Sequence, residues 1–346
     1  MNGCEYMNNI YNLTLEDLEN FFIEHDSKKF HALQLFLWLY DKRVESFDEM
    51  TNIKKEMLGE LKKNFSIERL KIVDIQEDTD VCKYLFELKD GEHIEAVLMR
   101  HDYGNSICVS SQVGCNMGCK FCESGRRKKV RNLEPYEMLL QILMIEKLLG
   151  ERISHVVVMG IGEPFDNYDN LIQFFKIINH PKGLAIGARH ITVSTCGLVP
   201  KILEFSDFPL QINLAISLHA PNNTIRDQIM PINKVYPIEK LMEALKIYLI
   251  KTNRRLTFEY ILLKGINDSS ECAEELAKLV SDLNCYINLI PYNETNNLDF
   301  QRSSTIQIMT FYDILKKNNV NVTIRREFGG NISAACGQLR SKKEDL

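Results

Sequence analysis

Cys115, Cys119 and Cys122 stand within the stretch GCNMGCKFCESG, residues 114–125, and no fourth cysteine follows nearby. Cysteine thiolates are ligands for soft metals and for iron–sulfur clusters. A structural zinc site usually takes four protein ligands in two pairs, and the second pair is missing here. A four-iron cubane held by three thiolates instead leaves one iron open to a substrate. Disulfides are the remaining alternative. The ten cysteines stand unevenly, at 4, 82, 108, 115, 119, 122, 196, 272, 285 and 336, a clustering that suits metal or redox chemistry in a reducing compartment.

A second candidate follows one unit later, in MGIGEPFDN. Gly160 and Gly162 let backbone approach a ligand closely, and Glu163 offers a carboxylate to a cationic group. Alone, such a stretch also reads as an ordinary turn. Cys82, Cys272 and Cys285 read as buried small hydrophobes, and Cys196 as structural.

Regular elements must position these groups. TLEDLENFFIEH, with Thr14 as N-cap, KKFHALQLFLWLYDKR and DEMTNIKKEMLGELKKNF carry helical spacing and predict a small helical module. From about residue 70 the period shortens. RLKIVDIQ, VCKYLFEL and HIEAVLMR predict an antiparallel meander with turns at DTD and KDGE. SICVSSQ then leads into the cysteines. Beyond them, helix-then-strand units repeat with nearly continuous apolar strands such as HVVVMGIG, HITVST, INLAISL, RLTFEYILL, YINLIPY and VNVTIRR. That pattern predicts an α/β fold with a parallel sheet covered by helices. Polar and glycine-rich punctuation falls just after the strands, where α/β barrels build their active sites.

The chain has 346 residues, 45% hydrophobic and 26% charged, with a net charge of −5. No apolar run reaches the ~20 residues of a membrane helix, and the N-terminus lacks the pattern of a secretory signal. A cytoplasmic protein without membrane association is expected. The negative balance opposes nucleic-acid binding through bulk charge, so any RNA contact must come from local patches. GRRKKVRN, residues 125–132, places five cations beside the cysteine loop, with lysines of the helical module as further candidates.

The spacing C-x3-C-x2-C resembles the signature of the radical S-adenosylmethionine (SAM) superfamily. Beside CNMGCKFC, the segments CVSSQVGC, GIGEP, ITVSTCGLVP, AISLHAPN, IRDQIMPINK, INLIPYN, TIRREFG and AACGQL are similar, over nearly the whole chain, to those of the RlmN/Cfr family of RNA adenine methyltransferases. The resemblance implies a partial (β/α)6-type radical SAM barrel over 101–331. Before it stand an N-terminal helical, RNA-binding accessory domain at 1–66 and a β meander linker at 67–100. After it comes a C-terminal segment, 332–346, that carries a methyl-carrier cysteine. Implied cofactors are a [4Fe-4S] cluster on Cys115, Cys119 and Cys122, and SAM, contacted by Gly162, Glu163, Ser194, Ser217, Leu218, His219 and Asn293.

What the resemblance implies chemically follows from adenine. A ring carbon between nitrogens is too electron-poor to attack SAM, but a radical can add to it. Cys336 would take a methyl group from one SAM, and a second SAM would supply the 5′-deoxyadenosyl radical that removes a hydrogen from it. Glu95 would accept the proton lost from the adenine carbon, and Cys108 would attack the Cys336 sulfur to free the product through a transient disulfide. Read without the resemblance, Glu95 is a solvated strand glutamate and both cysteines are core residues. One branch of the family implies C2 of an adenine in 23S rRNA and a tRNA adenine beside the anticodon; the other implies C8 of that ribosomal adenine. The segments KKFHALQLFLWLYDKRVESFDEMTN, GEP and RREFG favour C2. Implied partners are 23S rRNA, tRNA and an electron donor such as flavodoxin or ferredoxin, with the protein a monomer. A radical SAM enzyme without methyl transfer, and an electron-transfer or zinc-binding RNA module, are the competing classes. Two departures from the family pattern stand at Glu123 and Ser124, after the third cysteine, and at Asn331 to Ser333, where paired acids are usual.

Overall fold

The computed structural model describes residues 7–295, 297–325 and 338–339. Cys336, Cys4 and the departures at Asn331 to Ser333 lie outside the described residues. The chain forms two compact units.

One unit takes the chain to Lys71 together with Leu133–Arg152 and Asp169–Gly187. Its helices are Leu15–Glu24 (α1), Lys29–Tyr40 (α2), Lys55–Asn64 (α3), Pro135–Leu149 (α4) and Tyr168–Asn179 (α5), the last beginning one residue before the unit does. Thr14 caps α1 as expected, in a reciprocal box with Asp17. The third helix is shorter than its pattern predicts. Ser46 and Glu49 close a separate 3-10 turn at Phe47–Glu49, and Asn52 accepts a hydrogen bond from the Trp38 indole, so Thr51 and Asn52 stay in a turn. Helix α4 is buried almost all round, starts on Pro135 and stops at Gly150, whose φ of 68° suits a left-handed cap. Its buried Glu146 is paired with Arg43 at 2.5 Å.

The other unit is built on a ten-stranded sheet whose spatial order follows the chain. Its strands are Lys71–Asp78 (β1), Val81–Glu87 (β2), His93–His101 (β3), Gly104–Cys108 (β4), Ile153–Val158 (β5), Ile191–Thr195 (β6), Asn213–Ser217 (β7), Leu256–Leu262 (β8), Cys285–Pro291 (β9) and Val322–Ile324 (β10). From β4 to β10 every pairing is parallel. The sheet is a partial barrel carrying Val199–Phe205 (α6), Asn223–Ile229 (α7), Ile238–Thr252 (α8), Ser270–Val280 (α9) and Thr305–Lys317 (α10) on its connections. The meander is no separate body, because β3 pairs antiparallel with β4 and so extends the barrel sheet.

Register aligns the face that matters. Lys83, Val97, Cys108, Val157, Thr192 and Asn213 are successive partners across β2 to β7. Since side chains alternate faces with period two, Glu95, Ser194, Ser217 and Glu259 share the face of that row.

Candidate active site

The cysteine loop starts where β4 ends. Val113 pairs with Arg131 at its base, the Cys115 N–H donates to the Arg127 carbonyl (2.9 Å), and the Lys120 N–H donates to the Ile229 carbonyl at the end of α7 (2.9 Å). Gly114 and Gly118 have positive φ, and a side chain on Gly114 would stand 2.3 Å from the Lys128 carbonyl oxygen, so only glycine lets the loop fold back there. Cys115, Cys119 and Cys122 all line one cavity with Gly162, Glu163, Ser194, Cys196, Ser217 and His219. The cavity holds about 880 Å³ of empty space together with its mouth.

Side chains of Ser110, Gln112 and Asn167 pin the glycine-rich motif. The Ser110 hydroxyl donates to the Glu95 carbonyl (2.6 Å) and accepts from the Ile161 N–H (2.9 Å). Gln112 accepts from the Glu163 N–H (2.9 Å), and Asn167 donates to the Ser111 carbonyl (2.9 Å). The residues Ser110 to Gln112 therefore lock the GIGEP turn to the cysteine strand. A Cβ on Gly160 would come within 2.8 Å of Val109 and Ser110, and one on Gly162 within 2.6 Å of Gln112.

Glu163 is buried, and its two oxygens accept from the Phe165 N–H (3.0 Å) and the Cys196 N–H (2.8 Å). Burial raises its pKa above the usual carboxylate range, against the lowering pull of those hydrogen bonds. A cationic ligand group would offset that cost. Burial likewise pushes the Cys115 thiol up to about 12 and the Cys119 and Cys196 thiols well above their ordinary value.

His219 sits at φ 58° with its Nδ1 accepting from the Ile261 N–H (3.0 Å), so the neutral ring carries its proton on Nε2. Burial and then Arg226 lower its pKa to about 3. The Ser194 and Ser217 hydroxyls are 3.3 Å apart. Leu218 and Asn293 are not among the lining residues. Leu218 is fully buried and its main-chain N–H donates to the Glu259 carbonyl; Asn293 is half-buried beyond β9.

Three participants were not anticipated. Glu259, buried on β8 and bonded by Asn288 (3.0 Å), joins Arg325 in the cavity wall. Burial raises its pKa, with Arg325 pulling the other way. Arg226 is fully buried and ties the strand ends together, donating to the carbonyls of Cys196 (2.7 Å), Leu218 (3.1 Å) and Ser217 (3.4 Å) and to Asn233 (3.0 Å). The signal for it stands just before the segment IRDQIMPINK: Asn222 caps α7 by accepting from the Ile225 N–H.

Beside the cavity, Cys108 packs with Val81, Val97, Met99, Ile161 and Leu339, and Met159 touches both that cluster and the cavity. Glu95 is not a solvated residue. It is 2% exposed, with the Lys83 ammonium 3.3 Å from Oε1. Leu339 is held by the Ser124 hydroxyl, which donates to its carbonyl (2.8 Å), and Gln338 donates to the Glu294 carbonyl (3.1 Å). The unusual Glu123 is buried and paired with Arg126 at 3.2 Å.

The basic run is largely neutralised within the molecule. Arg127 pairs with Glu92, Lys129 with Asp166 and Arg131 with Asp90, each at 2.6 Å. The KDGE turn thus supplies two of the carboxylates, and the exposed Lys128 enters no ion pair among the described residues.

The donor set fits the implied cofactors: three thiols on one loop, a buried acid opposite, and hydroxyls at strand ends. Among the described residues no three His, Cys, Asp or Glu side chains gather as round a single ion; a cubane takes one thiolate per iron, at separate corners. No described helix is long and apolar enough to cross a membrane.

Comparison with known proteins agrees with this geometry. The Radical SAM superfamily profile matches residues 109–280, and that of the ribosomal RNA large subunit methyltransferase N-terminal domain matches residues 8–67. A probable dual-specificity RNA methyltransferase RlmN of Spiroplasma citri is 55% identical over 98% of this chain and 99% of its own length. One of Enterococcus faecalis is 57% identical over 96% of each. The crystal structure of a radical SAM methyltransferase from Sphaerobacter thermophilus superposes with a TM-score of 0.91 at 40% identity, over 97% of this chain and all of that one. By sequence, domain content and fold, the chain belongs to the RlmN family of radical SAM RNA methyltransferases.

Proposed function

We propose that the protein methylates C2 of an adenine in 23S rRNA and of a tRNA adenine beside the anticodon, using Cys336 as methyl carrier. One observation carries the reading. A cavity suited to SAM and a buried carboxylate–thiol pair, Glu95 and Cys108, occupy adjoining parts of one sheet face. A radical SAM enzyme that only abstracts hydrogen has no use for the second part. The relatives named dual-specificity RNA methyltransferase support two RNA substrates.

Cys115, Cys119 and Cys122 would hold a [4Fe-4S] cluster, and Gly162, Glu163, Ser194, Ser217 and His219 would contact SAM, with Leu218 and Asn293 contributing from the strand ends. Bound together, these cofactors supply a methyl group and a 5′-deoxyadenosyl radical. Glu163 balances a cationic ligand, and the Nε2–H of neutral His219 is a donor. Glu95 accepts the proton lost from the adenine carbon. Cys108 attacks the sulfur of Cys336: the S–S bond forms, the C–S bond to the adenine substituent breaks, and its electron pair leaves a methyl group after protonation. Leu339, anchored beside Cys108 three positions from Cys336 in the chain, supports that pairing. An electron donor such as flavodoxin or ferredoxin would supply the electron that SAM cleavage requires, the protein acting as a monomer.

Mass spectrometry of ribosomal and transfer RNA from cells with and without the protein tests this. Loss of 2-methyladenosine from both is expected; loss of 8-methyladenosine instead would move the reading to the C8 branch. Cys336→Ala should keep SAM cleavage and abolish methylation, and methylation by that variant would end the carrier role.

A further inference from the structure

Charged side chains seldom enter a sheet interior unless paired, because each loses its hydration. Lys83 and Glu95 are 3% and 2% exposed, with Nζ 3.3 Å from Oε1. Lys83 is the register partner of Val97, itself the partner of Cys108, so lysine, carboxylate and thiol share one face across three adjacent strands. The Ser110 hydroxyl, bonded to the Glu95 carbonyl at 2.6 Å, fixes the main chain beneath the pair. A strand of ordinary core would carry leucine or valine at position 83.

We propose that Lys83 is a positioning residue for Glu95, holding its carboxylate ionised and aimed along the face of Cys108 so that it can take the proton from the adenine carbon. The inference rests on the role given to Glu95 under the proposed function. A buried carboxylate without a counter-charge takes up a proton and then cannot accept another. The lysine supplies that counter-charge from the neighbouring strand.

The test uses the reconstituted full-length holoenzyme and RNA whose target adenine carries deuterium at both C2 and C8, so that regiochemistry does not enter. Lys83→Met, Lys83→Arg, Glu95→Gln and the double variant K83M/E95Q are compared by methylation rate per folded protein, isotope effect and thermal unfolding. Glu95→Gln is expected to slow methylation about 100-fold, the scale of a lost general base. Lys83→Met should slow it at least about tenfold and, like Glu95→Gln, expose an isotope effect above about 2 as proton removal becomes limiting. Lys83→Arg should restore most of the rate, and the double variant should be no slower than Glu95→Gln alone. A merely structural ion pair predicts otherwise. Lys83→Met would then lower the unfolding temperature with no isotope effect, and the double variant would recover both stability and methylation; that result overturns the inference. If Glu95→Gln itself methylates normally, the base assignment fails and this inference with it. A slow Glu95→Gln beside a normal Lys83→Met overturns only the lysine's role.

Discussion

The cavity at the strand ends and the Lys83–Glu95–Cys108 row share one face of one sheet, yet they are built differently. In and around the cavity the key charged and ring groups are held by main-chain groups: Glu163 by two N–H groups, His219 by a third, and Arg226, behind the wall, by three carbonyls. Loop conformation sets that geometry, so it suits a cofactor that returns in the same pose each turnover. In the row, side chains meet side chains. An ion pair and a thiol stand among Val81, Val97 and Met99 on strands buried on both faces. The difference teaches where each half is vulnerable: the cavity through backbone changes, the row through changes of charge or nucleophile.

Cysteine replacement should separate the halves most sharply. Cys119→Ala removes one of the three thiols proposed to hold the cluster and is expected to abolish both the iron–sulfur absorption and 5′-deoxyadenosine formation. Cys108→Ala should leave both in place and leave RNA attached to the protein, read as a slow band on a denaturing gel. If Cys108→Ala also emptied the cluster, the two regions would be one site and the comparison would fail.

How much of this was legible in the sequence follows the same division. The cavity was readable because its residues fall in strand-end loops, where Cys115, Gly162, Glu163 and His219 interrupt apolar strands with residues that such strands do not need. The row was read only through family resemblance. In HIEAVLM a glutamate between apolar neighbours suggests a solvent-facing position, and nothing local announces that β3 is covered on both faces or that Lys83 waits on the next strand. Glu259 in FEYILL escaped notice for the same reason. Short helix α7 was missed because seven residues barely show a period, although Asn222 before it was a visible cap. The third helix was overlong because side-chain bonds from Asn52 and Glu49 override the apparent periodicity.

If the cavity depends on backbone anchoring, Arg226→Met should cost about 3 kcal/mol or more, since it strands several buried carbonyls at once. Arg226→Lys should recover little, because one ammonium cannot reproduce a planar fork that serves Cys196, Ser217, Leu218 and Asn233. Denaturant unfolding measures both; a loss below 1 kcal/mol for the methionine variant would show that α7 docks without the guanidinium. Gly162→Ala should cost somewhat less, about 1–3 kcal/mol, since φ is 111° and the new methyl meets Gln112 at 2.6 Å. It should also weaken SAM binding by displacing Glu163, which equilibrium binding of SAM would reveal.

The remaining expected effect, absent near pH 7 and growing only as pH falls, is the most specific to the cavity. His219 is neutral when folded, its pKa held at about 3 by burial and Arg226, whereas an exposed histidine in the unfolded chain titrates near 6.5. As pH falls below ~6.5 the unfolded chain takes up a proton that the folded one refuses. The stabilisation is therefore complete above that pH and declines by roughly 1.4 kcal/mol per pH unit until the folded pKa is reached. His219→Asn is the suitable probe, since asparagine tolerates the φ of 58° and its Oδ1 can still accept from the Ile261 N–H. Unfolding free energies measured between pH 7 and pH 4 should fall less steeply in the variant, by the slope of one proton. Equal slopes would mean that His219 is protonated in the folded protein, and the Nε2–H donor assigned to the cavity would have to be replaced by a charged ring.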